Sequence, residues 1–588
     1  MATADEVTAD LNPEQRRAVQ AVRGPVVILA GAGSGKTTTI TRRIANQVLE
    51  QAFAPQEILA VTFTRRAAEE MKHRLAALGV SGVPASTFHS AAQRQIAHFA
   101  NERRPVVSNK FALLYPLLNA LPPELRKIAA GDVAAEIEWA RNGRLTPDSY
   151  VSNLAGHEPP LPAGQMAKVF RDYEQAKRAA NVIDFEDQLE LAVRIFEADE
   201  NATERFRDRY RAFTVDEFQD VNLLQWTLLS LWLGDSDELC AVGDDHQSIY
   251  GFTGATPRYL LQLPAVYPNA TVVQLEQNYR STRQVVTFAN RLSPHLGGRK
   301  KVLRAEPDGA EPEVRIFKDY EQEAAAIAGR CAELHRAGTP LSELAILYRG
   351  NYRSPVFEEA LLAVHLPFVV YGGSFLERHA AKQLLPRLRS QSGAADVEAV
   401  VAREAVAAGY VEEALSSQGP AEQTRQADLA RFVVLGEAYA GSDETVGGFL
   451  KELERRFGAE IGRDAVQLLT YHSAKGLEWE AVFLPRVEEG ELPHWRASKQ
   501  GFHAEERRLL YVGITRAKRH LWLSYTREGS PSPFLDELSG APSARPAARP
   551  SSATRRPTGP RTGSITGKPA KHEGGWVPEW MRNRPAKG

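Results

Sequence analysis

The chain has 588 residues with 72 Lys/Arg against 73 Asp/Glu, 43% hydrophobic and 25% charged, a length that one hydrophobic core does not organise, so several domains are expected. No apolar run approaches the ~20 residues that cross a bilayer, and Met1 to Asp10 is acidic and polar, which argues against a membrane span and a secretory leader. Two cysteines, Cys240 and Cys331, build neither a disulfide framework nor a zinc cluster, as expected of a cytoplasmic protein.

Taken in order, Asn12-Pro13-Glu14-Gln15 reads as an N-cap, a proline at the first helical position and a short helix to Val22. Pro25 to Leu29 reads as a buried parallel strand. It runs into Ala30-Gly31-Ala32-Gly33-Ser34-Gly35-Lys36-Thr37, and a helix with Ile40, Ile44 and Val48 on one face follows. Strand, glycine loop and helix together predict a cradle for a nucleoside triphosphate, because glycines let successive backbone N–H groups point at a polyphosphate beside a helix N-terminus. Lys36 reaches the terminal phosphates, and the Thr37 hydroxyl is the expected Mg²⁺ ligand. The first glycine of the G-x-x-x-x-G-K-[ST] pattern is Ala30 here.

A second strand, Ile58 to Phe63, leads through Thr64 into a helix with Ala68, Met71, Leu75 and Leu78 inward. A small-residue turn follows, then Thr87-Phe88-His89-Ser90, with Phe88 read as core. From about 95 to 181 the pattern is helical, with prolines between segments and no convincing strand. Strands resume at Ala212 to Phe218, Leu239 to Asp244 and Thr271 to Leu275. Asp216-Glu217 ends its strand at the edge where open α/β sheets bind ligands. There Asp216 can hold the Mg²⁺ through water and Glu217 can deprotonate an attacking water.

A second α/β lobe follows, with strands at Glu313 to Lys318, Leu344 to Tyr348, Phe368 to Tyr371, Val466 to Tyr471, Ala481 to Leu484 and His520 to Tyr525. The expected fold class is α/β, two parallel-sheet lobes each with a mostly helical insertion. The divisions are 1–95 with 182–275 for the first lobe, 96–181 for its insertion, 276–379 with 463–540 for the second lobe, and 380–462 for a second insertion. Residues 541–588 read as a disordered basic tail, rich in Pro, Ser, Ala and Arg. That tail carries ten Lys/Arg and two Asp/Glu, a net +8, and leaves 62 basic and 71 acidic residues before it, a net −9. So acidic a body does not coat itself with nucleic acid, and a polynucleotide must be held in a local groove. The tail offers salt-sensitive DNA affinity, and its Trp576-Val577-Pro578-Glu579-Trp580 stretch is a candidate docking peptide for a protein partner.

Further strings carry a family resemblance: Gly243-Asp244-Asp245-His246-Gln247-Ser248-Ile249-Tyr250-Gly251-Phe252, Leu275-Glu276-Gln277-Asn278-Tyr279-Arg280-Ser281, His472-Ser473-Ala474-Lys475-Gly476-Leu477-Glu478 and Leu510-Tyr511-Val512-Gly513-Ile514-Thr515-Arg516-Ala517. With the loop at Lys36 and Val215-Asp216-Glu217-Phe218-Gln219-Asp220, the chain resembles the UvrD/Rep/PcrA group of superfamily 1A DNA helicases from Leu11 to about Leu538. The resemblance implies two RecA-like lobes, ATP with Mg²⁺ between them, and travel 3′ to 5′ on single-stranded DNA with unwinding of tailed duplexes in repair or recombination. It gives Gln15 the reading of adenine, Tyr279 the stacking on the base and Glu478 the ribose. By the same resemblance Gln247 is the γ-phosphate sensor, and Arg280 and Arg516 are the cations brought to the γ-phosphate. Thr62, Phe63, Thr64, Arg65, Thr87, His89, Tyr250, Phe252 and His472 resemble the single-strand contacts, aromatic faces among hydroxyl donors suiting a sequence-blind channel.

The chain departs from the family pattern in places. Phe252 stands where the best-known members have Trp, and Thr253 where they have Arg. Thr38 replaces an arginine near the base, Arg65-Arg66 replaces an Asn-Lys pair, and the insertion at 380–462 is short, as in the compact branch of the group. Two other functions remain open on these residues: the motor subunit of a helicase–nuclease, and a nucleotide-gated single-strand clamp that scarcely unwinds. An RNA substrate is less favoured, since nothing reads a 2′-hydroxyl.

Overall fold

The computed structural model describes residues 3–539 except 101–103, 108, 127, 300, 372–374, 412–419, 440–443, 458–463 and 500. The tail at 541–588, with its expected disorder and docking peptide, lies outside the described residues. Six strands make a first sheet: β1 (Val26–Ala30), β2 (Ile58–Thr62), β3 (Ala85–Thr87), β4 (Ala212–Val215), β5 (Leu239–Gly243) and β6 (Thr271–Leu275). Their spatial order is β3-β2-β4-β5-β1-β6, and every ladder is parallel. The residues of β1, β2, β4 and β5 are all buried, which is why these strands read as unbroken apolar runs rather than alternating ones.

The second sheet holds β7 (Glu313–Phe317), β8 (Leu344–Tyr348), β9 (Phe368–Val370), β10 (Val466–Thr470), β11 (Trp479–Leu484) and β12 (Ala517–Thr526), in the order β7-β12-β11-β8-β10-β9, again all parallel. The chain is thus α/β with two parallel-sheet lobes. Between β3 and β4, the helices Phe111–Asn119, Ala130–Asn142 and Ala163–Ala179 close around Leu114, Val133, Ile137, Met166 and Phe170. Between β9 and β10, the helices His379–Arg389, Val397–Ala407, Pro420–Glu437 and Val446–Phe457 surround Phe375, Leu384, Val401, Phe432 and Phe449. Buried Arg378 and Arg431 fasten this second group to the main body, pairing with Glu358 at 2.8 and 2.7 Å.

Two local expectations are corrected. The small-residue turn before Thr87 contains β3, paired with β2 from Ala60↔Ala85 to Thr62↔Thr87, and three residues are too few for any period to show. The strand expected to run to Phe218 stops at Val215, because Glu217 turns left-handed at φ +49° and ends the ladder. Among the described residues, no helix is long and apolar enough to cross a membrane. Both cysteines are buried and free.

Candidate nucleotide cleft and nucleic-acid groove

Strand order brings the ends of β4, β5 and β1 side by side, so the loop after each opens at one edge of the first sheet. Ala30 closes β1 in extended backbone, buried and paired with Leu275. A methyl is therefore tolerated where the loop pattern has its first glycine. Gly33 and Gly35 are the positions that need glycine, at φ +65° and +77°. A Cβ on Gly33 would stand 2.6 Å from Asn278 Nδ2, and one on Gly35 would stand 2.8 Å from Gln15 Nε2. Ser34 Oγ donates to Gly31 O at 2.8 Å and tightens the loop. The helix Lys36–Leu49 starts on Gly35 with no side-chain cap, which leaves its first N–H groups for a ligand. Ala30 and Ala32 point into the core, so only their backbone can serve a nucleotide.

Lys36 Nζ lies 3.5 Å from Glu217 Oε1. Gln219 Nε2 donates to the other oxygen of Glu217 at 2.5 Å. Burial pushes the Glu217 carboxyl up, but Lys36 and Lys475 outweigh it and hold the group below its ordinary range. Asp216 goes the other way: burial and then the Glu217 charge push it well above the usual carboxylate range. Its Oδ1 accepts the Glu217 N–H at 2.9 Å, and no cation among the described residues pairs with it. A buried carboxylate short of positive charge, on the strand-end turn that also carries Glu217, fits a divalent cation held with Thr37.

A cleft of about 450 Å³ is lined by Gln15, Gly33, Lys36, Thr37, Thr38, Glu217 and Gln247 of the first lobe, by Tyr279 and Arg280 from the segment after β6, and by Glu478 and Arg516 beside β11 and β12 of the second sheet. Tyr279 is 57% exposed, its hydroxyl accepting from Asn12 Nδ2 at 2.9 Å. Arg280 Nε donates to Glu478 Oε2 at 2.5 Å and its Nη1 to Thr515 O at 3.1 Å. Arg516 is 1% exposed. Its guanidinium donates to Gln247 Oε1 at 2.9 Å, Leu477 O at 3.1 Å and Val512 O at 3.0 Å, and burial followed by Arg280 pushes it down to about 9. Gln247 Nε2 donates in turn to Asp244 Oδ2 at 2.6 Å, so one amide joins the two walls. Gln15 has both ends of its amide engaged, Nε2 on Ser34 O at 3.0 Å and Oε1 with Asn12 N at 3.3 Å.

Several residues that line the cleft or pair with its acidic and amide groups escaped the sequence reading. Lys475 Nζ donates to Gln247 O at 2.6 Å and pairs with Asp220. It sits inside a recognised string, which was the available signal. Lys301, buried, pairs at 2.5 Å with both Asp244 and Asp245, and nothing local marks it. Arg74, from the helix Arg65–Ala77, also lines the cleft.

Beside the cleft, Tyr250 and Phe252 follow β5 and His472 follows β10. Their rings form one cluster, with centroids 5.7 to 6.3 Å apart. Phe252 is 47% exposed. Burial, then Arg349 and Lys475, keeps His472 neutral, well below its ordinary value. His89 meets Phe185 edge-on at 5.9 Å, and burial with Lys110 pushes it down to about 4. Phe185, 47% exposed, is a further open ring that the sequence reading missed. Phe63 is half-buried and edge-on to Phe88, which stacks on Trp232 in the core.

The hydroxyls expected to meet DNA have partners within the chain. Thr62 is 1% exposed and donates to Thr64 O at 3.0 Å. Thr87 caps the helix Phe88–Gln95, accepting Ser90 N at 3.1 Å and donating to Ser90 Oγ. Thr64 caps Arg65–Ala77 through Ala67 N at 3.1 Å. Helix N-termini need such acceptors, and Thr64 and Thr87 meet that need first. Arg65 is exposed beside them.

Comparison with known proteins agrees with this architecture. Residues 11–268 match the family model described as the UvrD/REP helicase N-terminal domain, and residues 273–400 and 422–528 match the UvrD-like helicase C-terminal domain. The chain is 42% identical over 564 residues to ATP-dependent DNA helicase UvrD2 of Mycobacterium tuberculosis, covering 90% of this chain and 80% of that protein. It is 30% identical to ATP-dependent DNA helicase PcrA of Bacillus subtilis, covering 88% and 83% of the two chains. With ATP-dependent DNA helicase Rep of Escherichia coli the identity is 31%, over 90% and 94%. Two matched halves, a shared cleft and identity at this level along nearly the whole chain place it in the UvrD/Rep family of helicases.

Proposed function

We propose that the chain is an ATP-driven motor that moves 3′ to 5′ on single-stranded DNA and separates tailed duplexes, in repair or recombination. The observation that carries this reading is that Lys36 and Arg516, from opposite sheets, line one cleft whose walls are joined through Gln247. The loop N–H groups and Lys36 hold the β- and γ-phosphates. Thr37 and Asp216 would hold Mg²⁺, which would supply charge neutralisation at the transferring phosphoryl. Glu217 orients the attacking water and takes its proton, the role its depressed carboxyl can fill in the ionised form. Arg280 and Arg516 stabilise the charge that develops on the γ-phosphoryl oxygens. Gln15, Tyr279 and Glu478 face the base and ribose.

Coupling follows from chain continuity. Gln247 touches Arg516, and five residues on Phe252 presents its ring to the groove opposite His472 of the second lobe. Closing the cleft on ATP therefore shifts Tyr250 and Phe252 against His472 and alters the grip on stacked bases. The lobes and insertions are assigned at the boundaries given from the sequence. Strand displacement from 3′-tailed and 5′-tailed duplexes, with Lys36→Ala as control, tests the proposal. Displacement of the 3′-tailed substrate alone is expected. Single-strand-stimulated ATP hydrolysis without displacement would leave a clamp instead.

A further inference from the structure

Asp244 follows β5 in the first lobe and Gln247 follows it closely, yet the cation that balances the aspartate arrives from elsewhere. Lys301 belongs to the stretch after the helix Arg283–Asn290, which packs through Val286, Leu292 and Leu303 into the core of the second sheet. The lysine's backbone is tied down at and beside its own position. Ser293 Oγ donates to Lys301 O at 2.8 Å, and Leu303 N donates to Asn290 Oδ1 at 3.0 Å. From there the ammonium crosses to the first lobe, 2.5 Å from Asp244 Oδ1 and 2.5 Å from Asp245 Oδ1, and is 2% exposed. Burial pushes the Asp244 carboxyl up, but Lys301 and then Lys36 outweigh it and hold the group well below the usual carboxylate range.

An ionised carboxylate only accepts hydrogen bonds, and a guanidinium only donates them. Gln247 lies between one of each. With Asp244 Oδ2 on one side, the amide has to present Nε2 there, at 2.6 Å, which leaves Oε1 for Arg516 at 2.9 Å. Lys301 takes the other oxygen of Asp244 and so keeps Oδ2 turned toward the amide. Were that carboxylate to swing away, the amide could turn over and offer Arg516 a second donor in place of an acceptor.

We propose that Lys301 is a positioning residue for phosphoryl transfer: from the second lobe it holds Asp244 so that the Gln247 amide keeps its oxygen on Arg516. The proposal rests on the nucleotide reading above and adds a residue that lies outside every string carrying the family resemblance. A cation that only held the fold together would serve Asp245 as well as Asp244 and would be indifferent to Gln247.

Lys301→Met alone would leave two carboxylates buried around a missing cation, which is strongly destabilising. The comparison is therefore made in the full chain carrying Asp245→Asn, where methionine leaves a single acid. Single-strand-stimulated ATP hydrolysis and ADP binding are measured for this protein alone and with Lys301→Met, Gln247→Ala or both added. Lys301→Met is expected to lower kcat roughly 10–100-fold, the scale set by loss of an orienting partner, and to move KM far less. Where Gln247 is already alanine, it is expected to change kcat by less than about twofold, because the group it positions is gone. ADP affinity is expected to stay unchanged, since ADP has no γ-phosphate for Gln247 and Arg516 to meet. Equal fold losses with and without Gln247, an unchanged kcat, or weakened ADP would each overturn the proposal. Failure of the motor reading shows elsewhere: hydrolysis without strand displacement would sink that reading and leave this comparison intact.

Discussion

Replacing Arg516 with methionine probes whether the two walls act as one catalytic unit. Methionine keeps most of the length and removes the guanidinium. Val512 O retains the Thr515 hydroxyl as a donor at 3.0 Å. Leu477 O and Gln247 Oε1 lose the donor that the guanidinium gave them, at about 1–3 kcal/mol for each that stays buried. Burial already pushes the Arg516 cation down to about 9, so deleting it relieves part of that cost. The fold should lose a few degrees of thermal midpoint at most. The chemistry should lose far more. A cation completing the phosphoryl-transfer site contributes roughly 10³–10⁵ in kcat, about 4–7 kcal/mol at 1.36 kcal/mol per decade. Single-strand-stimulated ATP hydrolysis by Arg516→Met, Gln247→Ala and the double variant measures this. The double variant should fall short of the summed losses, because the two side chains share one hydrogen bond. Turnover within about tenfold of wild type in a folded Arg516→Met protein, or strictly additive losses, would refute the reasoning.

Glu217→Gln should bind ATP and DNA yet lower kcat by roughly 10²–10⁴, and unimpaired turnover would remove Glu217 from the chemistry. Phe252→Ala should weaken single-strand binding by about 1–3 kcal/mol, the worth of one stacked base, with DNA-free ATP hydrolysis as the internal control. Unchanged affinity in a fluorescence titration would take that ring out of the groove. His494, 3% exposed, is pushed down to about 4 by burial and then by Arg349. It is neutral when folded, whereas the unfolded chain takes a proton near 6.5. Its destabilising contribution is therefore absent above about 6.5 and grows as pH falls toward 4, by at most roughly 1.4 kcal/mol per pH unit. Denaturant midpoints at pH 7.5 and 5 should show His494→Gln gaining on wild type at the acid end, and a constant difference would contradict the sign.

Glycines at left-handed positions, caps and apolar runs are written within a few residues of one another. For that reason the phosphate loop, the buried strands of both sheets and the two helical stretches were legible in the amino-acid order, as were the strings that placed the chain in its family. Phe88 read as core, and it is. The three-residue β3 and the early end of β4 were not legible. One is too short to carry a period, and the other is set by the backbone of Glu217.

The sequence alone determined which short segments exist and what each is chemically able to do. The tertiary structure decided which residues meet. It buried Lys301 against Asp244 and Asp245, carried Lys475 across to Asp220, set Arg74 over Thr38 and opened Phe185 beside His89. It also assigned the hydroxyls of Thr64 and Thr87 to helix caps. Such partnerships depend on distances across the packed sheets. No window of sequence contains them, because a side chain's partner is fixed by where two distant strands lie in the sheet and not by its neighbours in the chain.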